Sequence, residues 1–449
     1  MLVAIVLVSS WADALAAQPS STESPSIPPT PAGEQLAWAL EQVNAQGTGL
    51  TPLRIERHFA PIFLSGITPE QLISVFQLYV GPAGPMSVAR FEGGVTDTRA
   101  NALLSTPSGY WRVALSVDES EDHRINGLYF QPAWIPSEFA EPPDTWSGLK
   151  QQFQELAPRS GFYAAELTGN GCDPLARVNP EEPLAIASAF KLYVLGELAR
   201  QVQAGDAQWD EPLAFDPSLV SLPNGDMRYA APGELFPLVT WAEQMMAQSD
   251  NTATDHLIAR LGRENVEASF MSMGHASPEL NTPLLMTREW FAIKMRLSDR
   301  QIRRYELATS ETRRQMLQTL VQPQAATLAE WEPWPAFRAI DSIEWFASPH
   351  DLCLAMASLL ELSKQAGMEP VLNAMSLQPG ITFDPEDWSY VGYKGGYEAG
   401  VKSDVWLLQR SDGRWFALVG VINDLSAEID GYGMSDVMTA AASLLAIEP

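Results

Sequence analysis

The sequence predicts an α+β chain in two units, and three patterns support this. Between residues 34 and 131, three short helical segments are followed by four strand-like runs. A Pro-, Glu- and Asp-rich stretch from Pro132 to Trp146 comes next. Beyond it, alternating hairpins near residues 160–179 and 401–422 bracket a long helical section. Helices and strands grouped in blocks indicate segregated layers rather than a doubly wound sheet. At 449 residues, the chain has room for two domains.

The chain opens on an apolar run, Leu2 to Ser10, followed by a small-x-small site at Ala14-Leu15-Ala16 and a Ser/Pro/Thr-rich stretch from Gln18 to Glu34. We read residues 1–17 as an export signal and 18–33 as a tether. No Lys or Arg precedes the apolar run and Asp13 interrupts the approach to the site, so an uncleaved apolar tail is the competing reading. No cysteine follows the site, which argues against a lipid anchor, and no other apolar run is long enough to span a bilayer. An exported protein, periplasmic or secreted, is expected.

The first unit is placed at residues 34–142. Gln35 to Asn44, Pro52 to Phe59 and Pro69 to Tyr79 have helical spacing, the last with Thr68 as cap and Pro69 at its first position. Met86 to Phe91, Arg99 to Ser105, Tyr110 to Val117 and Ile125 to Gln131 read as strands of a curved antiparallel meander, a cone able to hold a ligand. No convergent catalytic set is visible in it. His123 lies in an acidic turn and His58 reads as a helix-face residue rather than a base. Residues 143–155 are expected to link this unit to the second, at 156–449.

In the second unit, Ser160 to Leu167, a Gly169-Asn170-Gly171 turn and Leu175 to Asn179 form a hairpin. It leads into Ser188-Ala189-Phe190-Lys191, at the head of an apolar helix that stops at Gly205. At i+3, Lys191 shares a face with Ser188, so its amine can reach the hydroxyl. A serine is inert until a base takes its proton, and burial lowers a lysine pKa enough to make it that base. Serine is also a common N-cap and lysine a common surface residue, so one S-x-x-K carries little weight alone. Further on, Ser249-Asp250-Asn251 follows a helix from Trp241 to Gln248; by itself it is a loop or cap signal, but it also offers a relay hydroxyl and an orienting amide. Lys394 sits in Tyr393-Lys394-Gly395-Gly396-Tyr397, before the hairpin Val401 to Gln409 and Arg414 to Ile422. Its ammonium can bind a carboxylate where glycines let backbone approach, although a glycine-rich strand end has the same appearance.

The remaining segments read structurally. Ser348-Pro349-His350-Asp351 starts a helix over Leu352 to Ser363, and Gly433 to Ala446 is a terminal helix covering the sheet. The tryptophans at 331, 334, 345, 388, 406 and 415 read as core or cleft walls rather than a carbohydrate platform.

Composition limits the partners. Hydrophobic residues make up 46% and charged ones 18%, which is globular, and the net charge of -27 disfavours nucleic acid and anionic membranes. Five scattered histidines show no metal-ligand spacing. Cys172 and Cys353 could pair in an oxidising compartment, but their positions in sequence do not show proximity. No cofactor, metal or nucleic acid is expected, and the chain is expected to act as a monomer.

In this order and at these separations, the three segments resemble the S-x-x-K, S-D-N and K-T-G motifs of the penicillin-recognising serine enzymes. The likeness is nearest to class A β-lactamases around Met246-Ala247-Gln248-Ser249-Asp250-Asn251-Thr252-Ala253 and covers about Gly161 to the end. The two-unit layout, with Ala187 to Leu195 and Glu344-Trp345-Phe346-Ala347-Ser348, resembles the two-domain β-lactamase-like protein of the clavulanic acid gene cluster and its exported relatives. This resemblance implies a steroid-isomerase-like (NTF2-like) cone, followed by a five-stranded antiparallel sheet with an inserted helical region. It implies Ser188 as acylated nucleophile, Lys191 as base or relay, and Ser249 as proton donor to the leaving group. Asn251 would hold a substrate amide, Lys394 a carboxylate, and the N–H groups of Ser188 and Tyr397, beside Gly396, the oxyanion.

Two departures qualify the likeness. Gly395 replaces the hydroxyl residue of the third motif, and Tyr397 brings a large side chain to the mouth. Only His275 to Asn281 separate Gly274 from Thr282-Pro283, so the loop bearing the deacylating glutamate is largely missing, and Glu279 within the remnant reads as a surface carboxylate. The sequence thus supports a serine hydrolase acting on a small amide or ester, with β-lactams and peptidoglycan-like amides as candidates. Slow-turnover penicillin binding or esterase action, or a non-catalytic ligand-binding protein with a vestigial site, are the alternatives.

Overall fold

A computed structural model describes residues 25–64, 67–92, 95–107, 109–133, 143–169, 171–222, 224–325, 337–381 and 383–448. The expected export signal, most of the Pro-rich stretch after residue 132, Asn170, Trp331 and Trp334 lie outside them. The chain divides into two compact units, residues 1–141 and 142–449.

The first unit opens with α1 (Pro31–Asn44), where the Thr30 hydroxyl accepts the Gly33 N–H and Leu36, Ala39, Leu40 and Val43 form the buried stripe. Three short helices follow: α2 (Pro52–His58), α3 (Pro61–Leu64) and α4 (Pro69–Val75). Thr68 and Gln71 close a capping box at the head of α4. Strands β1 (Ser87–Phe91), β2 (Arg99–Thr106), β3 (Gly109–Asp118) and β4 (Arg124–Ala133) pair antiparallel in sequence order. Irregularities at Val88/Arg90 and Ser116/Val117 bend this sheet. Its core holds Leu36, Phe59, Phe76, Val113 and Leu115. His58 is held as a structural residue: Nδ1 lies 2.9 Å from Gln35 Oε1 and the ring stacks on Trp38 at 3.8 Å.

Residues 146–155, expected to be connecting chain, instead form helix α5 (Trp146–Glu155). Thr145 caps it, and Leu149 and Phe153, one turn apart, are buried against the sheet of the second unit. The Pro-rich approach hid this spacing. The chain continues through β5 (Arg159–Thr168), β6 (Gly171–Val178) and the short β7 (Leu184–Ala185) to α6 (Lys191–Ala204), which ends on left-handed Gly205. A small ribbon, β8 (Pro212–Ala214) with β9 (Leu235–Pro237), precedes α7 (Leu238–Ala247), α8 (Asn251–Leu261), α9 (Arg263–Ser272) and α10 (Thr287–Arg296). Then come α11 (Asp299–Glu306), α12 (Ser310–Met316), α13 (Gln322–Ala325), β10 (Phe346–Ala347), α14 (Pro349–Ser363) and α15 (Glu369–Ser376). Strands β11 (Trp388–Glu398), β12 (Val401–Arg410) and β13 (Trp415–Asn423) and helix α16 (Gly431–Ile447) complete the fold.

The large sheet has the order β11-β12-β13-β5-β6, antiparallel throughout, so the two sequence-distant hairpins meet where β13 pairs with β5. Burial on both faces covers the central strands β5, β12 and β13, while the edge strands β6 and β11 are partly exposed. Phe162, Trp406 and Phe416 pack with α5 and α16 on one face, while Val405, Leu407 and Val419 join the core of the helical region on the other. Trp345, Trp388 and Trp406 are buried. Cys172 on β6 and Cys353 on α14 form a disulfide, tying the sheet to the helical layer.

Candidate active site

Ser188 sits in a single 3-10 turn, Ala187–Phe190, immediately before α6. The turn is cramped: Ala187 is left-handed, with φ of 43°, a conformation costly to a residue with a Cβ. Strand β11 runs close against it. A Cβ added to Gly396 would lie 2.7 Å from the Ser188 nitrogen and 2.3 Å from the Ile186 carbonyl oxygen, so only glycine permits this approach. By strand alternation, Lys394, Gly396 and Glu398 share the buried face of β11.

Lys191 is fully buried, and its Nζ lies 2.7 Å from both Ser249 O and Asn251 Oδ1 and 3.2 Å from Ser249 Oγ. Ser249 is also left-handed, at φ of 53°. Asp250 caps α8 by accepting the Ala253 N–H at 2.7 Å and also takes the Met227 N–H at 2.9 Å. Gly225 passes directly over this carboxylate, and a Cβ there would fall 1.9 Å from Asp250 Oδ2. Asn251 donates through Nδ2 to Leu222 O, which turns its Oδ1 toward Lys191. From the opposite side, Lys394 Nζ reaches Ser249 Oγ at 3.0 Å. The Ser249 hydroxyl therefore lies between two buried amines.

Electrostatics favour proton transfer among these groups. Burial, then the neighbouring Lys394 charge, holds the Lys191 amine well below the ordinary lysine range. Burial brings Lys394 down to about 7, against the attraction of Asp404. Asp404 stands opposite Gly395 in the sheet register and accepts the Tyr393 hydroxyl at 2.6 Å.

The structure thus brings Lys191, Ser249, Asn251 and Lys394 into one network and sets Gly396 against the turn carrying Ser188. It differs from the sequence expectation in one contact: Lys191 bonds to Ser249 and Asn251, and among the described residues no hydrogen bond joins its Nζ to the Ser188 hydroxyl. Tyr397 neighbours Gly396 on the edge strand, with a side chain 51% exposed whose hydroxyl lies 3.3 Å from Glu428 Oε2. A Cβ at Gly395 would meet Tyr393 Oη at 2.1 Å, so a hydroxyl residue there would have to displace the Tyr393 hydroxyl from Asp404. Glu279 is exposed in a short turn, Pro278–Asn281, that Asn281 Nδ2 ties to Phe346 O at 2.9 Å.

Sequence reasoning missed a second polar cluster. Lys294 on α10 lies 2.7 Å from both Glu344 Oε1 and Glu398 Oε1, and all three are buried. Glu344 was visible within the Glu344-Trp345-Phe346 word and Glu398 stands two residues past Gly396, but separations of 50 and 104 residues from Lys294 offer no local signal. Among the described residues, no three His, Cys, Asp or Glu side chains converge as metal ligands, and no helix is long and apolar enough to cross a membrane.

Comparison with solved structures finds PBP-A at 17% identity, covering 68% of this chain and 98% of that one, with a TM-score of 0.44. A beta-lactamase from Sphaerobacter thermophilus matches at 20% identity over 68% of this chain and all of that one, TM-score 0.46. A beta-lactamase from Burkholderia phymatum matches at 15% identity over 67% and 98%, TM-score 0.47. No curated protein matches the chain. Residues 27–122 match the family model described as ORF 12 gene product N-terminal. Residues 148–445, which include Ser188, Ser249 and Lys394, match that of the beta-lactamase enzyme family. With well over half of the chain inside that match, this protein belongs to the beta-lactamase enzyme family.

Proposed function

We propose that the second unit is a serine hydrolase that opens a small amide or ester, β-lactams included, through an acyl-enzyme on Ser188. One observation carries this reading: the Ser249 hydroxyl lies within hydrogen-bonding distance of Lys191 (3.2 Å) and Lys394 (3.0 Å), beside the turn that presents Ser188. A neutral Lys191 amine takes the Ser188 proton, directly or through Ser249, as the Ser188 Oγ–carbon bond forms. The N–H groups of Ser188 and Tyr397 hold the resulting oxyanion. As the carbonyl reforms, the bond to the leaving nitrogen or oxygen breaks and Ser249 hands it a proton, regained from the lysines. Asn251 holds a substrate amide and Lys394 a carboxylate. Water then cleaves the acyl ester.

A slow-turnover variant, closer to penicillin binding or to a sluggish esterase, has its own support. Among the described residues, no carboxylate hydrogen-bonds to the side chains of Lys191, Ser249 or Asn251, and Glu279 faces solvent. Intact-protein mass spectrometry with penicillins, a chromogenic cephalosporin and acyl esters tests both readings. Wild type should gain one acyl mass that Ser188→Ala does not, and its lifetime separates hydrolysis from trapping. No adduct and no turnover in wild type would sink the hydrolase reading and favour a non-catalytic binding protein. The proposal takes the first unit as a steroid-isomerase-like ligand cone, as in the clavulanic acid cluster protein. It takes the chain as an exported monomer, and a secreted form beginning at Gln18 would test the export signal.

A further inference from the structure

The cluster of Lys294, Glu344 and Glu398 has no part in the steps above, yet each carboxyl is joined to one side of the site. Glu398 follows Tyr397 directly and lies about 7 Å along β11 from Gly396, on the same buried face. Glu344 directly precedes Trp345, whose carbonyl accepts the Ile186 N–H at 2.9 Å, two residues before Ser188. Lys294 Nζ bridges the two carboxyls at 2.7 Å each, packed 4.4 Å over the Trp290 ring. The Trp290 Nε1–H donates to Glu344 Oε1 at 2.7 Å. Lys294 itself is anchored, since Arg338 donates to its carbonyl at 2.6 Å.

We propose that Lys294, Glu344 and Glu398 are positioning residues that clamp the end of β11 to the segment leading into Ser188, fixing the separation of the Tyr397 and Ser188 N–H groups. The clamp rests on the Ser188 reading above for its catalytic meaning, but not for its geometry. Two carboxylates with one ammonium would leave a net buried negative charge, which is costly where water is excluded. One proton shared between the carboxyls removes that charge. Burial first, then the Glu344 charge, holds the Glu398 carboxyl well above the ordinary range, so Glu398 carries this proton. As an acid, Glu398 donates to Glu344, whose Oε2 is otherwise buried without a hydrogen-bond partner, and accepts from Lys294. The two strand ends are thereby joined by directional bonds. Apolar packing would let them slide, and a displacement of about 1 Å is enough to cost on the order of a hundredfold in rate.

Two substitutions at one position separate this from a merely structural role. Glu398→Gln keeps a neutral side chain that donates to Glu344 and accepts from Lys294, whereas Glu398→Met keeps the volume and deletes both bonds. The first readout is hydrogen–deuterium exchange of peptides covering 184–190 and 394–398 in the full chain. We expect faster exchange in both peptides for Glu398→Met and wild-type exchange for Glu398→Gln. Unchanged exchange in Glu398→Met overturns the clamp, whatever the protein's activity. Exchange raised equally by Gln and Met also overturns it, because packing alone would then explain the effect. The second readout is the acylation rate constant, separated from the non-covalent binding constant. It should fall about a hundredfold in Glu398→Met with binding unchanged, and return in Glu398→Gln. If wild type is never acylated, the Ser188 reading fails while the exchange result still decides the clamp. Should Glu398→Met not fold, Glu344→Met, which keeps the volume and removes the acceptor while leaving Lys294 paired with Glu398 and Trp290 Nε1 bonded to Ile343 O, takes its place with the same expected exchange.

Discussion

The two units each pair a bent antiparallel sheet with helices, but the site in the second treats buried charge differently from the core of the first. In the first, the buried charge of Arg112 is matched by Glu92 at 2.8 Å, and His58 is satisfied by Gln35 and Trp38. In the second, Lys191 and Lys394 are buried with only hydroxyl, amide and carbonyl oxygens as hydrogen-bond partners, and the carboxylates that attract them, Asp250 and Asp255 for the first and Asp404 for the second, do not bond to them. The contrast shows how to tell scaffold from chemistry. A matched pair needs no further partner, while an amine among neutral oxygens has a proton it can exchange.

The strongest way to break that contrast is Lys191→Met. If the amine is the base, the acylation rate should fall by about 10²–10⁴-fold, while melting temperature holds or rises because a buried unmatched amine has been replaced by an apolar side chain. A variant acylated at the wild-type rate would return Lys191 to the class of structural residues.

Next in size is the covalent stitch, since both cysteines lie in the second unit. Changing Cys172 and Cys353 to serine together should cost about 2–5 kcal/mol, seen as a lower denaturant midpoint. The first unit contains no cysteine, so its own unfolding should be indifferent to reductant.

A smaller effect is expected from pH. Below about 7 Lys394 carries its proton and can attract a carboxylate; above it the charge goes. Acylation by an anionic penicillin should therefore weaken up to about tenfold per pH unit above that value, while a neutral ester should lack this falling limb. Lys191 must be unprotonated to act, and because burial holds it well below its ordinary range, the rising limb should lie at lower pH than an ordinary lysine would give. Identical profiles for the two substrates would remove Lys394 from carboxylate binding.

The smallest effect belongs to the first unit. His58→Asn should leave acylation within about twofold and lower stability by roughly 1 kcal/mol through the lost stack and hydrogen bond. A large loss of acylation would erase the distinction between the units.

Much of this architecture was legible because the signals were local. The capping box at Ser348 and Asp351, the stop at Gly205 and the alternating runs that became β12 and β13 each lie within a few residues. Ser188, Ser249 and Lys394 were legible as ordered motifs. Lys294, Glu344 and Glu398 were not, since a buried ion cluster is assembled from elements with no sequence relation to one another. The pairing of Cys172 with Cys353 was open for the same reason, 181 residues apart. Helix α5 was legible in its 146, 149, 153 spacing but was obscured by the prolines before it.

Ala187 has an implication for engineering. Exchanging it for glycine would relieve the left-handed backbone and make the chain harder to melt. It would also give the peptide ahead of Ser188 new freedom to swing, so a gain in thermal endurance at this position should come with a nucleophile that is aimed less well.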